Sequence, residues 1–178
     1  MIDLDAAKAW IKKETSDEDA LIGGLVAAAV ATLEAQTGRF MSAKEFTQTI
    51  AGFPSCNPYE IRLTKGPVSE IATIEYDPSD GTAALEVEDF RLIEGVNARL
   101  LPAFGATWPA TLEGSGTVRI SGTAGYGDGE APDLDQAALM LVAHWYQNRE
   151  GVSSSASFSE LPLAVCMLIG PYRPSGLA

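Results

Sequence analysis

Residues 134–150, LDQAALMLVAHWYQNRE, are apolar on almost every side of a helix, and residues 161–173, LPLAVCMLIGPYR, follow as a shorter apolar helix running into a Pro-Tyr-Arg-Pro tail. A helix apolar round most of its circumference must be buried round most of it. In a chain of 178 residues that means a core helix, a subunit-interface helix, or both. So short a chain has few ways to surround a ~25 Å helix on every side, which favours an interface. Leu134, Leu141, Trp145, Tyr146 and Arg149 are therefore the candidate core-or-interface residues. Trp, Tyr and Arg within one turn are the types enriched where proteins bind one another. The plainer alternative stays open: Trp145 and Tyr146 cap the core and Arg149 pairs with Glu150.

The rest of the sequence predicts an α+β fold. Asp3 is a candidate N-cap for a helix over residues 4–13, with Leu4, Ala7, Trp10 and Ile11 as its apolar stripe. Thr15-x-x-Glu18 has the capping-box pattern for a second helix carrying Leu21, Ile22, Leu25, Val26, Ala29, Val30 and Leu33 at helical spacing, and Gly38 is placed to stop it. From about residue 44 to 126 the pattern changes to short β-type runs separated by Pro, Gly and Asn turns. Strands are expected over residues 46–50, 59–63, 68–76, 90–93, 99–101 and 117–121, with the glycine-rich run 122–129 leading out of the last. The expected architecture is one domain. A helical bundle from residues 1–40 and 131–178 carries a small antiparallel β module, about 44–126, inserted between its halves.

Charge removes several function classes. Twelve Lys and Arg against twenty-four Asp and Glu leave −12 per chain, the wrong sign for gripping phosphates or an anionic membrane. No run approaches the ~18 apolar residues of a membrane span. No signal peptide precedes the first helix, so a soluble protein made in the cytoplasm is expected. Cys56 and Cys166 have no metal-ligand spacing and read as buried free thiols.

Chemistry is equally sparse. The run Gly122-Thr-Ala-Gly-Tyr-Gly-Asp-Gly129 lies between a strand and a helix, as a phosphate loop does, but Asp128, Glu130, Asp133 and Asp135 ring it. Calcium suits those carboxylates better, yet the spacing of an EF-hand is absent. His144 is the sole histidine, and no Gly-x-Ser-x-Gly elbow supplies it with a nucleophile. No enzyme, cofactor or metal centre is expected.

In order along the chain stand Leu4, Lys8 and Trp10; Asp17-Glu-Asp-Ala-Leu21; Glu34-Ala-Gln-Thr-Gly-Arg39; Gly125-Tyr126-Gly127; Pro132-Asp-Leu134; Ala143-His-Trp-Tyr-Gln-Asn-Arg-Glu150; and Leu161-Pro162 with Pro171-Tyr-Arg173. In that order and spacing the chain resembles the head–tail connector (adaptor, or head-completion) family of long-tailed bacteriophages. The resemblance implies a structural virion protein at the capsid portal vertex with no catalytic site. It implies a homo-oligomeric ring, typically a dodecamer, below the portal protein. Such a ring extends the DNA channel and joins the next neck or tail-completion protein. Packaged DNA passes without specific binding, and no membrane takes part. The helix over 134–150 then packs within and between subunits, and Pro171, Tyr172, Arg173 and Pro174 form a tail reaching toward the portal. The alternatives are another neck or tail-completion protein, or a small β-type binding module or hydrolase braced by helices.

Overall fold

The computed structural model describes residues 2–56, 59–78, 81–95, 97–112, 114, 116–148 and 161–173. Within it the chain forms two compact units, Met1–Met41 with Gly127–Ala178, and Ser42–Tyr126. The architecture is α+β, as the alternation of patterns along the sequence predicts.

In the first unit, helix α1 spans Leu4–Ile11 and starts where Asp3 accepts a 2.8 Å hydrogen bond from the Ala6 amide. It ends at Lys12, whose φ of 58° turns the chain left-handed. Only Ala7 of α1 is fully buried, and Trp10, expected on its core stripe, is 46% exposed. Helix α2 spans Asp19–Thr37 and stops at Gly38, φ 67°, whose amide bonds the Glu34 carbonyl. The capping box expected at its start does not form. Glu18 takes the N-cap position without a side-chain cap, and the Thr15 hydroxyl bonds Asp17 instead. The Glu18 carboxylate is occupied by Lys13 and Tyr146, which removes it from capping.

Helix α3 spans Pro132–Gln147 with proline in its first turn, where the missing amide costs no hydrogen bond. Helix α4 spans Leu163–Ile169 and runs into a 3-10 turn over Gly170–Tyr172. α3 is the centre of this unit and packs on α1, α2 and α4. One expectation needs correction here: α2 is long and apolar enough, by length and composition, to cross a membrane. Its many alanines keep its hydropathy high without forming a run of bulky apolar side chains. The Ile22, Ala29, Leu33 and Thr37 face of α2 is buried.

The second unit holds seven strands: β1 Lys44–Ile50, β2 Ile61–Arg62, β3 Val68–Tyr76, β4 Ala83–Leu85, β5 Phe90–Ile93, β6 Arg99–Pro102 and β7 Val118–Ala124. They form two antiparallel sheets, one ordered β1-β7-β3-β4 and one ordered β2-β6-β5. Phe46, Val68, Ile71, Ile74, Val118, Ile120 and Ala124 bury one face of the larger sheet. On its other face Ser121 is paired with Thr47 on one side and Thr73 on the other, and Arg119 with Thr49 and Glu75.

Strand β7 runs further than the pattern suggested, through Gly122-Thr123-Ala124. A Cβ at Gly122 would collide with the Glu70 carbonyl, so a glycine in mid-strand lets the bulged β3 backbone pass close by. Gly125, φ 131°, has the same role against the Ser42 carbonyl.

Candidate functional site

α3 separates the sequence-predicted residues by depth. Leu134 and Leu141 are fully buried and lie on one stripe with Ala137, Ala138 and Val142. Trp145 and Tyr146, one turn on, are half-buried, and Arg149 lies outside the described residues. The helix thus buries a stripe completely and its flanks in part. Tyr146 reaches across to α2, its phenol donating a 2.6 Å hydrogen bond to Glu18. Lys13 meets the same carboxylate at 2.9 Å, and Lys8 meets Asp19 at 2.6 Å. Lys13 is held above its ordinary pKa, first by its bond to Glu18. Asp17 is held below its own, first by the Thr15 hydroxyl.

His144 is exposed and faces Asn148, whose side-chain amide also donates to the His144 carbonyl at 2.8 Å. This is a helix-end arrangement and places no nucleophile at the imidazole. The glycine-rich run closes on itself: the Gly127 amide, which a bound phosphate would need, donates at 2.7 Å to the Glu130 carboxylate. Among the described residues no group of three or more His, Cys, Asp or Glu is placed to hold a metal ion. Both cysteines are free thiols but neither is buried as expected: Cys56 is exposed and Cys166 half-buried.

Pro171 is exposed, Tyr172 half-buried and Arg173 exposed, and Pro174 lies outside the described residues. Arg39, itself 3% exposed, donates to the Tyr172 carbonyl at 3.2 Å. Arg173 donates to Gln36 at 3.3 Å. Burial, with the Asp133 carboxylate second, raises the Tyr172 phenol above its ordinary pKa. The turn after α4 is therefore tied to the end of α2 and the start of α3. Arg39 stands in the sequence only as the last residue of the Glu34–Arg39 helix terminator; its contact with Tyr172 has no local signal beyond a cation following a helix-stopping glycine.

The β unit has its own fixed points, also unread in the sequence. Phe53 stacks on Trp108 at 4.9 Å with the planes 4° apart, and meets Tyr76 edge-on at 5.6 Å. The Trp108 indole donates at 2.7 Å to the Tyr59 carbonyl. Glu60 bridges Arg62 and Arg99 at 3.0 Å each, and Arg119 bridges Glu75 and Asp77 at 3.2 Å each. These pairs hold Glu60 and Asp77 below the usual carboxylate range, by Arg62 first and by Arg119 first.

No family model matches the sequence, and no curated protein matches it. Solved structures do. A chain in the neck of an empty gene transfer agent (GTA) particle, computed with C6 symmetry, is 23% identical with a TM-score of 0.77, over 99% of this chain and 91% of that one. A chain in the virion of a native GTA particle is 21% identical, with the same TM-score and the same coverage. A chain in the neck of a native GTA particle, computed with C12 symmetry, is 23% identical with a TM-score of 0.71, over 100% and 94%. The chain shares its whole fold, both units together, with chains found in the necks and virion of gene transfer agent particles.

Proposed function

We propose that this chain is a structural protein of the neck of a phage-like particle and has no enzymatic activity. It is one connector subunit, its helical body and its β module belonging to a single domain. The supporting observation is the end-to-end likeness of fold, at a TM-score of 0.77, to a chain in a particle neck. On this reading copies of the chain close a ring, a dodecamer, below the portal protein. The ring extends the DNA channel and joins the next neck or tail-completion protein. Pro171, Tyr172, Arg173 and Pro174 carry the side of the subunit that meets the portal, and Leu134, Leu141, Trp145, Tyr146 and Arg149 build the body that the ring is made from.

Charge agrees with the assignment. Twelve chains at −12 each make a strongly negative collar, and a negative wall keeps passing DNA from adhering. Negative-stain images of the purified chain, alone and mixed with its portal, test the reading. Rings, or a collar added to the portal, are the expected result. No ring and no portal binding under any condition would overturn it.

A further inference from the structure

Two exposed faces of the helical unit carry no charge. On α2 the residues opposite the buried Ile22, Ala29 and Leu33 are Leu21, Gly24, Ala27, Ala28, Ala31 and Ala35, all exposed. On α4 Val165 and Ile169 are buried, while Leu163 and Met167, four positions apart and on the opposite side, are 74% and 71% exposed. Both helices pack on α3, and among the described residues α2 and α4 do not pack along each other. Each helix thus presents a separate outward face.

The two faces differ in shape. Beyond Leu21 the α2 face is low, built of methyl groups and, at Gly24, bare backbone with open space above it. The α4 face carries two long apolar side chains standing clear of the surface. Low helix faces of Ala and Gly let another helix approach closely, and large side chains fill the space that such a face leaves. A contact of this kind joins two different patches, and repeated from copy to copy it gives a ring when the rotation between copies closes.

Charge limits where copies of the chain can meet. A chain of −12 repels its own copies, so copies meet most readily where no carboxylate must be buried. These faces meet that condition. We propose that each is covered by the other on a neighbouring copy of this chain, with Leu163 and Met167 seated on α2 between Gly24 and Ala31. The proposal rests on the ring assigned above and names the contact that closes it.

The test uses full-length chain with Cys56→Ser and Cys166→Ala. One preparation carries Ala28→Cys and another Met167→Cys; they are mixed, assembled and treated with a short bismaleimide. Cross-links between unlike chains, at least tenfold above those between like chains, are expected. In parallel, Met167→Glu and Ala28→Glu in the otherwise unmodified chain should abolish rings seen in negative stain while melting is unchanged. If a Glu variant melts early, Leu163→Ser and Met167→Gln replace it.

Rings that persist in the substituted chains, or cross-links chiefly between like chains, overturn the inference and leave the ring reading intact. No rings from the unmodified chain, alone or on its portal, overturn both. Phosphatidylcholine vesicles that bind the chain, and lose it on Ala28→Glu, would assign the α2 face to lipid and overturn the inference.

Discussion

Tyr146 and Lys13 meet on one oxygen: Glu18 Oε2 accepts the tyrosine phenol at 2.6 Å and the lysine ammonium at 2.9 Å. A carboxylate that should have capped α2 instead joins the end of α1 to the end of α3.

Tyr146→Phe keeps the ring and deletes the donor. A half-buried bond to a charged acceptor is worth about 1–2 kcal/mol, so urea unfolding should show a loss of that size. Lys13→Met should cost less, because the pair is open to water. The double variant should lose less than the two single losses added, since both act on one oxygen. Strict additivity in a double-mutant cycle would mean that they act apart.

Two glycines should respond oppositely to alanine. Gly122→Ala drives a methyl into the Glu70 carbonyl and should cost about 2–3 kcal/mol as the β3–β7 register shifts. Gly23→Ala, with nothing within 4 Å of the added carbon, should stabilise α2 by about 0.5–1 kcal/mol through helix propensity. Thermal melts of the two single variants check the signs.

Trp108→Ala should be the most damaging tryptophan substitution. Trp108 is 9% exposed, stacks on Phe53 and hydrogen-bonds Tyr59, so a loss of about 3–5 kcal/mol is expected. Trp145→Ala should cost less, because that ring is only half-buried. The ranking is read from chemical denaturation midpoints.

Acid should weaken the β unit through two carboxylates. Asp77 and Glu60 have folded pKa values below their ordinary 3.8 and 4.5. Their contribution is therefore complete above those ordinary values and is lost as pH falls through the lower folded ones. Asp77→Asn should lower stability near neutral pH and flatten the decline below about pH 4. Tyr172 works in the other direction. Its raised pKa gives a contribution complete below pH 10 and lost as pH rises through the folded value, and Tyr172→Phe should remove that alkaline limb. Melting temperature against pH, for each variant and the parent, is the measurement.

Local signals in the sequence were read well where local chemistry decides. The Asp3 cap, the Gly38 stop and the strands β5 and β6 all follow from residues within a few positions of each other. The capping box failed because Tyr146 and Lys13, brought in by packing, took the Glu18 carboxylate. β4 was missed because Ala83-Ala84-Leu85 has no alternation of its own and exists only as a partner of β3. The last residues of β7 were read as loop because Gly122 looks like a breaker until the bulged β3 lies beside it. Leu134 and Leu141 were legible as buried from periodicity. The Arg39 link to Tyr172, 133 positions apart, was not, since no pattern within one helix encodes a contact to another. Trp10 shows the reverse error: a residue on the right stripe stays exposed because α1 is too short to be covered along its length.

The helical unit is assembled from the two ends of the chain, whereas the β unit is one continuous stretch, Ser42–Tyr126. During synthesis the β unit therefore has all its strands before α3 has left the ribosome, while α1 and α2 must wait for α3. The Glu18–Tyr146 bond closes a span of 128 positions, and contacts of such separation form late because chain-closure entropy opposes them until the segment between is already compact. A β unit that folded first would shorten that effective loop, because its first and last strands, β1 and β7, pair as neighbours, and the two halves of the helical unit would then be delivered together.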